Sequence, residues 1–238
     1  MYGAFHICAL VFCVIFNFLV YLYFKNRDEE FQLKTIHYCG AFMIVMEAVK
    51  QIFCYYYVFD QKINLWFFPW QLCSTLMYCS FFITLVNRKN QNTLLLYMTT
   101  YCLLGGIMAL IVPPDMLRPQ IYLTCYSFLY HYLMISVAII SLLILRKREK
   151  IEFSFAATLF FIMAFIAEII NIASHHIFHD ISVEPNMFYI NPYFPTTQPV
   201  FRIIAEKFGI FTEIVLYLGV INLASCLIYR IISKKIYN

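Results

Sequence analysis

Seven stretches of the chain are apolar almost throughout, over roughly 3–24, 36–58, 66–86, 93–112, 121–145, 153–177 and 209–232. Short polar or proline-containing segments separate them. A hydrocarbon layer about 30 Å thick takes about 20 apolar residues of helix to cross. The pattern therefore predicts an all-α, polytopic membrane helix bundle with seven transmembrane helices. Residues 1–238 form a single transmembrane helical domain on this reading, because the connections leave no room for a soluble one. The third and sixth stretches are the least regular, with Pro69 and Glu168 near their ends. Gly105-Gly106, followed by Pro113-Pro114, is expected to bend or end the fourth.

Composition removes the alternatives to lipid as solvent. Of the 238 residues 63% are hydrophobic and 13% charged, against about 25% charged in a soluble domain. A soluble enzyme, a disordered tail and a nucleic-acid module are all excluded. The net charge of +4 is distributed by topology rather than gathered into a phosphate-binding face. Twelve lysines and arginines follow the first, third and fifth stretches or lie at the C-terminal end, and four lie in the other connections. That bias puts the N-terminus outside and the C-terminus in the cytoplasm, in a multi-pass protein of the cell membrane. The first stretch has no basic residue before it, so it does not read as a cleavable signal peptide. Membrane lipids are the expected partners. Nine cysteines without a Cys-x-x-Cys pair give no disulfide framework, and no cofactor is expected.

Ionisable groups inside apolar spans are costly, so each is a candidate site residue. Glu47 and Lys50 stand at i and i+3 on one helix face, where an internal ion pair is as good a reading as a binding pocket. Glu168, Asn171 and His175 share another face, which suits a pocket or a hydrogen-bond network between helices. Glu213 opens the last stretch, where a carboxylate complements a helix N-terminus. The run from His175 to Asp180 has an i, i+4 spacing that can hold a metal. With no second ligand cluster, no metal is expected. Cys73 and His131 are a potential nucleophile and base, since a thiol needs an imidazole or similar group to take its proton. A packed thiol and a structural histidine are the alternative. The connection 178–208, rich in proline and aromatics, is expected to form a lid at the outer interface.

Four patches in order, Phe68-Pro69-Trp70-Gln71-Leu72-Cys73-Ser74, Leu104 to Pro113, Phe128-Leu129-Tyr130-His131-Tyr132 and Pro185-Asn186-Met187-Phe188-Tyr189, carry a resemblance. They resemble the YwaF-like family of integral membrane proteins, bacterial relatives of the eukaryotic TMEM-type phospholipid acyltransferases. The chain departs from that pattern at Gln71, where the family commonly has histidine. The resemblance implies a six- or seven-helix bundle with a cysteine and a histidine facing an internal pocket. It further implies acyl exchange through an acyl-cysteine, with Cys73 as nucleophile and His131 as general base. Glu47 and Lys50 would shape the pocket, Gln71 would lie in it, and Asn186 would help close it. Three functions follow as expectations: a cysteine-dependent lipid acyltransferase, a small-solute transporter or its membrane subunit, and a structural or assembly protein.

Overall fold

The computed structural model describes residues 3–112, 116–177 and 185–237, and among these it holds helices and no strand. In chain order the helices are α1 (Ala4–Phe24), α2 (Glu29–Tyr57), α3 (Thr75–Phe82), α4 (Arg88–Ile111), α5 (Ile121–Leu145), α6 (Phe153–Ile177), α7 (Pro199–Phe208) and α8 (Ile210–Tyr237). Two of them start well before their apolar stretches, because polar caps rather than hydropathy set the ends. The Asp28 carboxylate accepts from the Phe31 amide at 2.8 Å and begins α2. The Asn87 side chain accepts from the Asn90 amide at 3.0 Å and begins α4. Each satisfies a backbone donor that the first helical turn leaves over. Helix α4 passes through one π turn at Met98–Cys102 and is not broken at Gly105-Gly106. Pro113 and Pro114 lie outside the described residues.

Six helices, α1, α2, α4, α5, α6 and α8, are long and apolar enough to cross a membrane. Helices α5 and α4 form the centre, with 67% and 56% of their most apolar windows buried, against 11% for α1 and α8. The outer faces of the peripheral helices carry exposed Phe12, Val14, Phe165, Phe211 and Leu223. Such surfaces are stable only against lipid tails.

The third expected span differs from the seven-helix expectation. Residues 66–86 are not one long helix but a 3₁₀ turn at Leu65–Phe67, an irregular stretch and the short α3. Eight residues of helix rise only about 12 Å. The cause is Pro69, which pushes the preceding residue out of the helical region; Phe68 sits at φ −58° and ψ 133°. The segment nevertheless runs antiparallel beside α2 through much of that helix's length. The Gln51 amide donates to the Phe67 carbonyl at 2.5 Å. Lower down, His37 Nδ1 donates to the Phe81 carbonyl at 2.6 Å. At the far end Arg88 pairs with Glu29 at 3.3 Å.

Glu29 is also the centre of a knot on the basic face. Arg148, 6% exposed, gives it a bond of 2.6 Å and reaches Asn92 at 2.5 Å and Gln91 at 3.0 Å. Lys147 donates to the Arg27 carbonyl at 2.9 Å. The α1–α2 turn, the start of α4 and the end of α5 are thereby tied at one end of the bundle.

The segment after α6 also departs from expectation. Rather than lying as an interfacial lid, residues 185–191 enter the bundle, and Met187, Phe188 and Ile190 are buried in its main core.

Helix α2 approaches the broken segment closely at Gly40. A methyl group there would lie 2.4 Å from the Phe81 amide nitrogen and 2.8 Å from the Ser80 carbonyl carbon, both rigid backbone. Gly219 in α8 has nothing within 4 Å of the same position. Gly40→Ala is therefore expected to lower stability by about 1–3 kcal/mol, as overpacking does. Gly219→Ala should lose nothing and gain up to about 1 kcal/mol from helix propensity. Thermal unfolding of the two variants in the same detergent checks the contrast.

Candidate functional site

The interruption at residues 68–74 places peptide groups inside an apolar bundle, where no water satisfies them. Irregular backbone survives there only where protein groups bond it. Tyr78 donates to the Pro69 carbonyl at 3.1 Å, and the Gln71 carbonyl accepts from the Ser74 and Thr75 amides at 2.8 and 3.2 Å. The Trp70 indole donates to Met163 of α6 at 3.2 Å and fixes the segment sideways. Cys73 falls in the turn just before α3, at the end of that helix where amide dipoles favour negative charge. Gly105 of α4 leaves room beside it; a methyl group there would stand 3.5 Å from the Cys73 sulfur.

Above this turn lies a cavity of about 440 Å³. Cys73 and His131 both line it, as do Glu47, Lys50 and Gln71, so segments 58 residues apart meet at one hollow. The His131 side chain is held by the helix that carries it: Nδ1 lies 2.7 Å from the Ser127 carbonyl. A carbonyl oxygen only accepts, so Nδ1 carries the proton and Nε2 is the basic nitrogen. Glu47 takes a salt bridge of 2.6 Å from Lys50, a bond of 2.7 Å from Gln51 and another from the Tyr126 hydroxyl. Lys50 also stands 5.6 Å from the centre of the Phe67 ring and 5.2 Å from that of Tyr126, within cation–π range. Both charges of the pair are thus compensated, as burial requires. The remaining wall is largely apolar, from Leu104, Met108, Ala109, Val220 and Ile221. The hollow therefore has a charged, hydrogen-bonding part and an oily part, a shape suited to an amphipathic molecule.

The other expected pocket residues hold a structural element beside the cavity. The Gln71 amide donates to the Asn186 carbonyl at 2.9 Å and accepts from the Phe188 amide at 2.9 Å. Asn171 does the same for Met187, donating to its carbonyl at 3.1 Å and accepting from its amide at 2.7 Å. Each side-chain amide acts as a neighbouring peptide unit would in a sheet. Together they grip three consecutive residues from both sides. The grip offsets backbone strain, for Phe188 and Tyr189 both lie in the left-handed region at φ 56° and 59°, at a cost of order 1–3 kcal/mol each. Asn186 in turn accepts from the Asn191 amide at 3.0 Å and closes the loop on itself.

Glu168, Asn171, His175 and Asn186 do not line the cavity. The His175 ring stacks on Tyr193 with centres 3.7 Å apart. Glu168 is half-buried with one carboxylate oxygen unpartnered. Glu213 opens α8, is buried, and also has an unpartnered oxygen. His179 and Asp180, the rest of the run with metal-ligand spacing, lie outside the described residues. Sequence reasoning missed Tyr126, Ser127, Tyr130 and Tyr217, which line the hollow. Their signal was present: Tyr126 with Tyr130, and Ser127 with His131, are i, i+4 pairs on adjoining strips of one helix.

A bundle of apolar helices around a largely apolar hollow with a charged pair in its wall defines a multi-pass membrane protein. A family model described as the TMEM164 family matches residues 1–229, and the chain belongs to that membrane-protein family. No curated protein and no solved structure matches it.

Removing the Asn171 clamp should show what it supports. Asn171→Leu leaves the Met187 amide buried without its partner, at about 1–3 kcal/mol, and leaves the Met187 carbonyl with the Ile190 amide alone, at 3.3 Å. The variant is expected to unfold at clearly lower temperature than the parent. A cysteine introduced at Met187, protected in the parent background, should become reactive to maleimide in detergent.

Proposed function

We propose that this protein is a lipid acyltransferase of the cell membrane, with Cys73 as acyl acceptor and His131 as general base. The observation that carries the reading is that Cys73 and His131 line one cavity whose wall is part charged and part oily. That is the arrangement implied by the likeness to YwaF-like proteins and the acyltransferases related to them. In the first half-reaction the Cys73 sulfur bonds to the carbonyl carbon of a lipid ester while its proton passes to His131 Nε2. The ester C–O bond then breaks, and the departing alcohol oxygen takes that proton. In the second, the hydroxyl of an acceptor lipid gives its proton to His131 and attacks the thioester. The acyl group leaves on the new oxygen and Cys73 regains its proton. Glu47 and Lys50 shape the polar part of the hollow, Gln71 joins the cavity to the inserted loop, and Asn186 belongs to that loop.

Purified protein given a phospholipid with an alkyne-tagged acyl chain should acquire a hydroxylamine-labile label at Cys73. Cys73→Ser should abolish the label, and His131→Gln should slow it by about 10²–10⁴-fold, the usual worth of a general base. A wild-type protein that never labels, or a Cys73→Ser variant that labels normally, sinks the reading. The transporter alternative draws support from the Glu47–Lys50 pair at the cavity wall. It expects solute uptake that survives Cys73→Ser and fails on Glu47→Gln.

We further propose seven passes, counting the broken segment 65–87, with the N-terminus outside and the C-terminus cytoplasmic. The basic knot around Glu29 and Arg148 then faces the cytoplasm. In intact cells a cysteine placed at Lys62 should react with an impermeant maleimide, and one placed at Lys147 should react only after lysis. The reverse pattern inverts the orientation.

A further inference from the structure

Among the buried tyrosines of the described residues, one hydroxyl has no hydrogen-bond partner. Tyr97 and Tyr132 are both buried, and their hydroxyls pair with Thr75 at 2.9 Å and with the Ala9 carbonyl at 2.8 Å. Tyr126, one turn away on α5, commits its hydroxyl to Glu47. Tyr130 is 4% exposed, and its hydroxyl is buried without a hydrogen-bond partner. A donor left in that state costs about 1–3 kcal/mol, so a folded protein that keeps one needs a reason to keep it. Phenylalanine in the same place would fill the same volume without the penalty.

The reason is supplied by where Tyr130 sits. Its ring is part of the wall of the cavity that Cys73 and His131 share, and it directly precedes His131 in the chain. The ring is held by packing rather than by its own oxygen. Tyr126 lies against it with centres 5.7 Å apart, and His131 meets it at 6.0 Å. It belongs to the main buried core with Leu76, Met134 and Val137. A fixed, unspent O–H donor on a residue that shares a cavity wall with a nucleophile suits the stabilisation of charge that develops only in a transition state.

We propose that Tyr130 is a further catalytic residue of this site, donating its hydroxyl hydrogen bond to the acyl oxygen as the tetrahedral intermediate forms. This rests on the acyl-transfer reading. As the Cys73 sulfur bonds to the acyl carbon, the π pair of the carbonyl moves onto its oxygen. Tyr130 donates a hydrogen bond to that oxyanion and keeps its own proton. When the pair returns to re-form C=O, the bond to the leaving oxygen breaks, and the hydroxyl is unpaired again. The same contact serves the second half-reaction, in which the intermediate forms on the thioester.

Tyr130→Phe tests this, assayed for Cys73 labelling by the alkyne-tagged phospholipid, for steady-state transfer and for thermal unfolding. The expected result is a fall of about 10²-fold in kcat, the worth of one oxyanion donor, with KM little changed. The unfolding temperature should be unchanged or raised, because a buried unpaired polar atom is removed. A variant that labels and turns over at the wild-type rate overturns the assignment and leaves the acyl-transfer reading standing. So does a fall in kcat that goes with a lower unfolding temperature and is shared by Tyr132→Phe, since the hydroxyl would then be structural. A wild-type protein that forms no acyl-Cys73 overturns both.

Discussion

Inside a bilayer every peptide group must be bonded by protein, because no water is there to do it. Most of the chain meets that demand with uninterrupted helix. Among the described residues two buried places do not, the turn at 68–74 and the inserted loop at 185–191. Both are tolerated because side chains from neighbouring helices act as substitute backbone. Tyr78 serves the first, whose own Trp70 anchors it to the Met163 carbonyl of α6; Asn171 serves the second, and Gln71 belongs to the first and serves the second. The two irregular pieces are therefore one construction, joined through a single glutamine.

That construction makes the cavity. A straight helix over 66–86 would fill the space beside α4 and α5 with ordinary packing. The proline-initiated turn instead withdraws the backbone and leaves Cys73 lining a hollow together with a histidine whose tautomer is set by the carbonyl of its own helix. The charged pair on α2 adds polarity without leaving either charge unpaired. Its members are bound to each other, to Gln51 and to Tyr126. A thiol, an imidazole and a charged pair thus share one hollow inside an apolar bundle.

Much of the framework was legible in the residues themselves. Apolar runs located the long helices, and Glu47 with Lys50 formed the ion pair that their spacing suggested. Hydropathy failed at 66–86 because it counts apolar side chains and is blind to the torsional effect of Pro69. It failed again at 185–191, where Met187 and Phe188 are buried through bonds made by Gln71 and Asn171, more than a hundred and some sixteen residues distant respectively. Glu168, Asn171 and His175 were grouped correctly as one helix face, yet helical spacing says nothing of which neighbour that face meets. Tyr130 was overlooked for a related reason: a tyrosine in an apolar run looks like packing until its oxygen is found unpaired.

The knot of Arg148, Glu29, Gln91 and Asn92 has a consequence for how the molecule is made. A ribosome delivers the chain N-terminus first, so Glu29 emerges long before its partner, 119 residues later. Arg88 can reach Glu29 earlier, but the buried bond from Arg148 forms only once α5 has been made. The clasp by Gln71 and Asn171 closes later still, once residues 186–188 arrive. The wall of the hollow is complete only when Tyr217 and Ile221 of α8 have been made, later than either clasp.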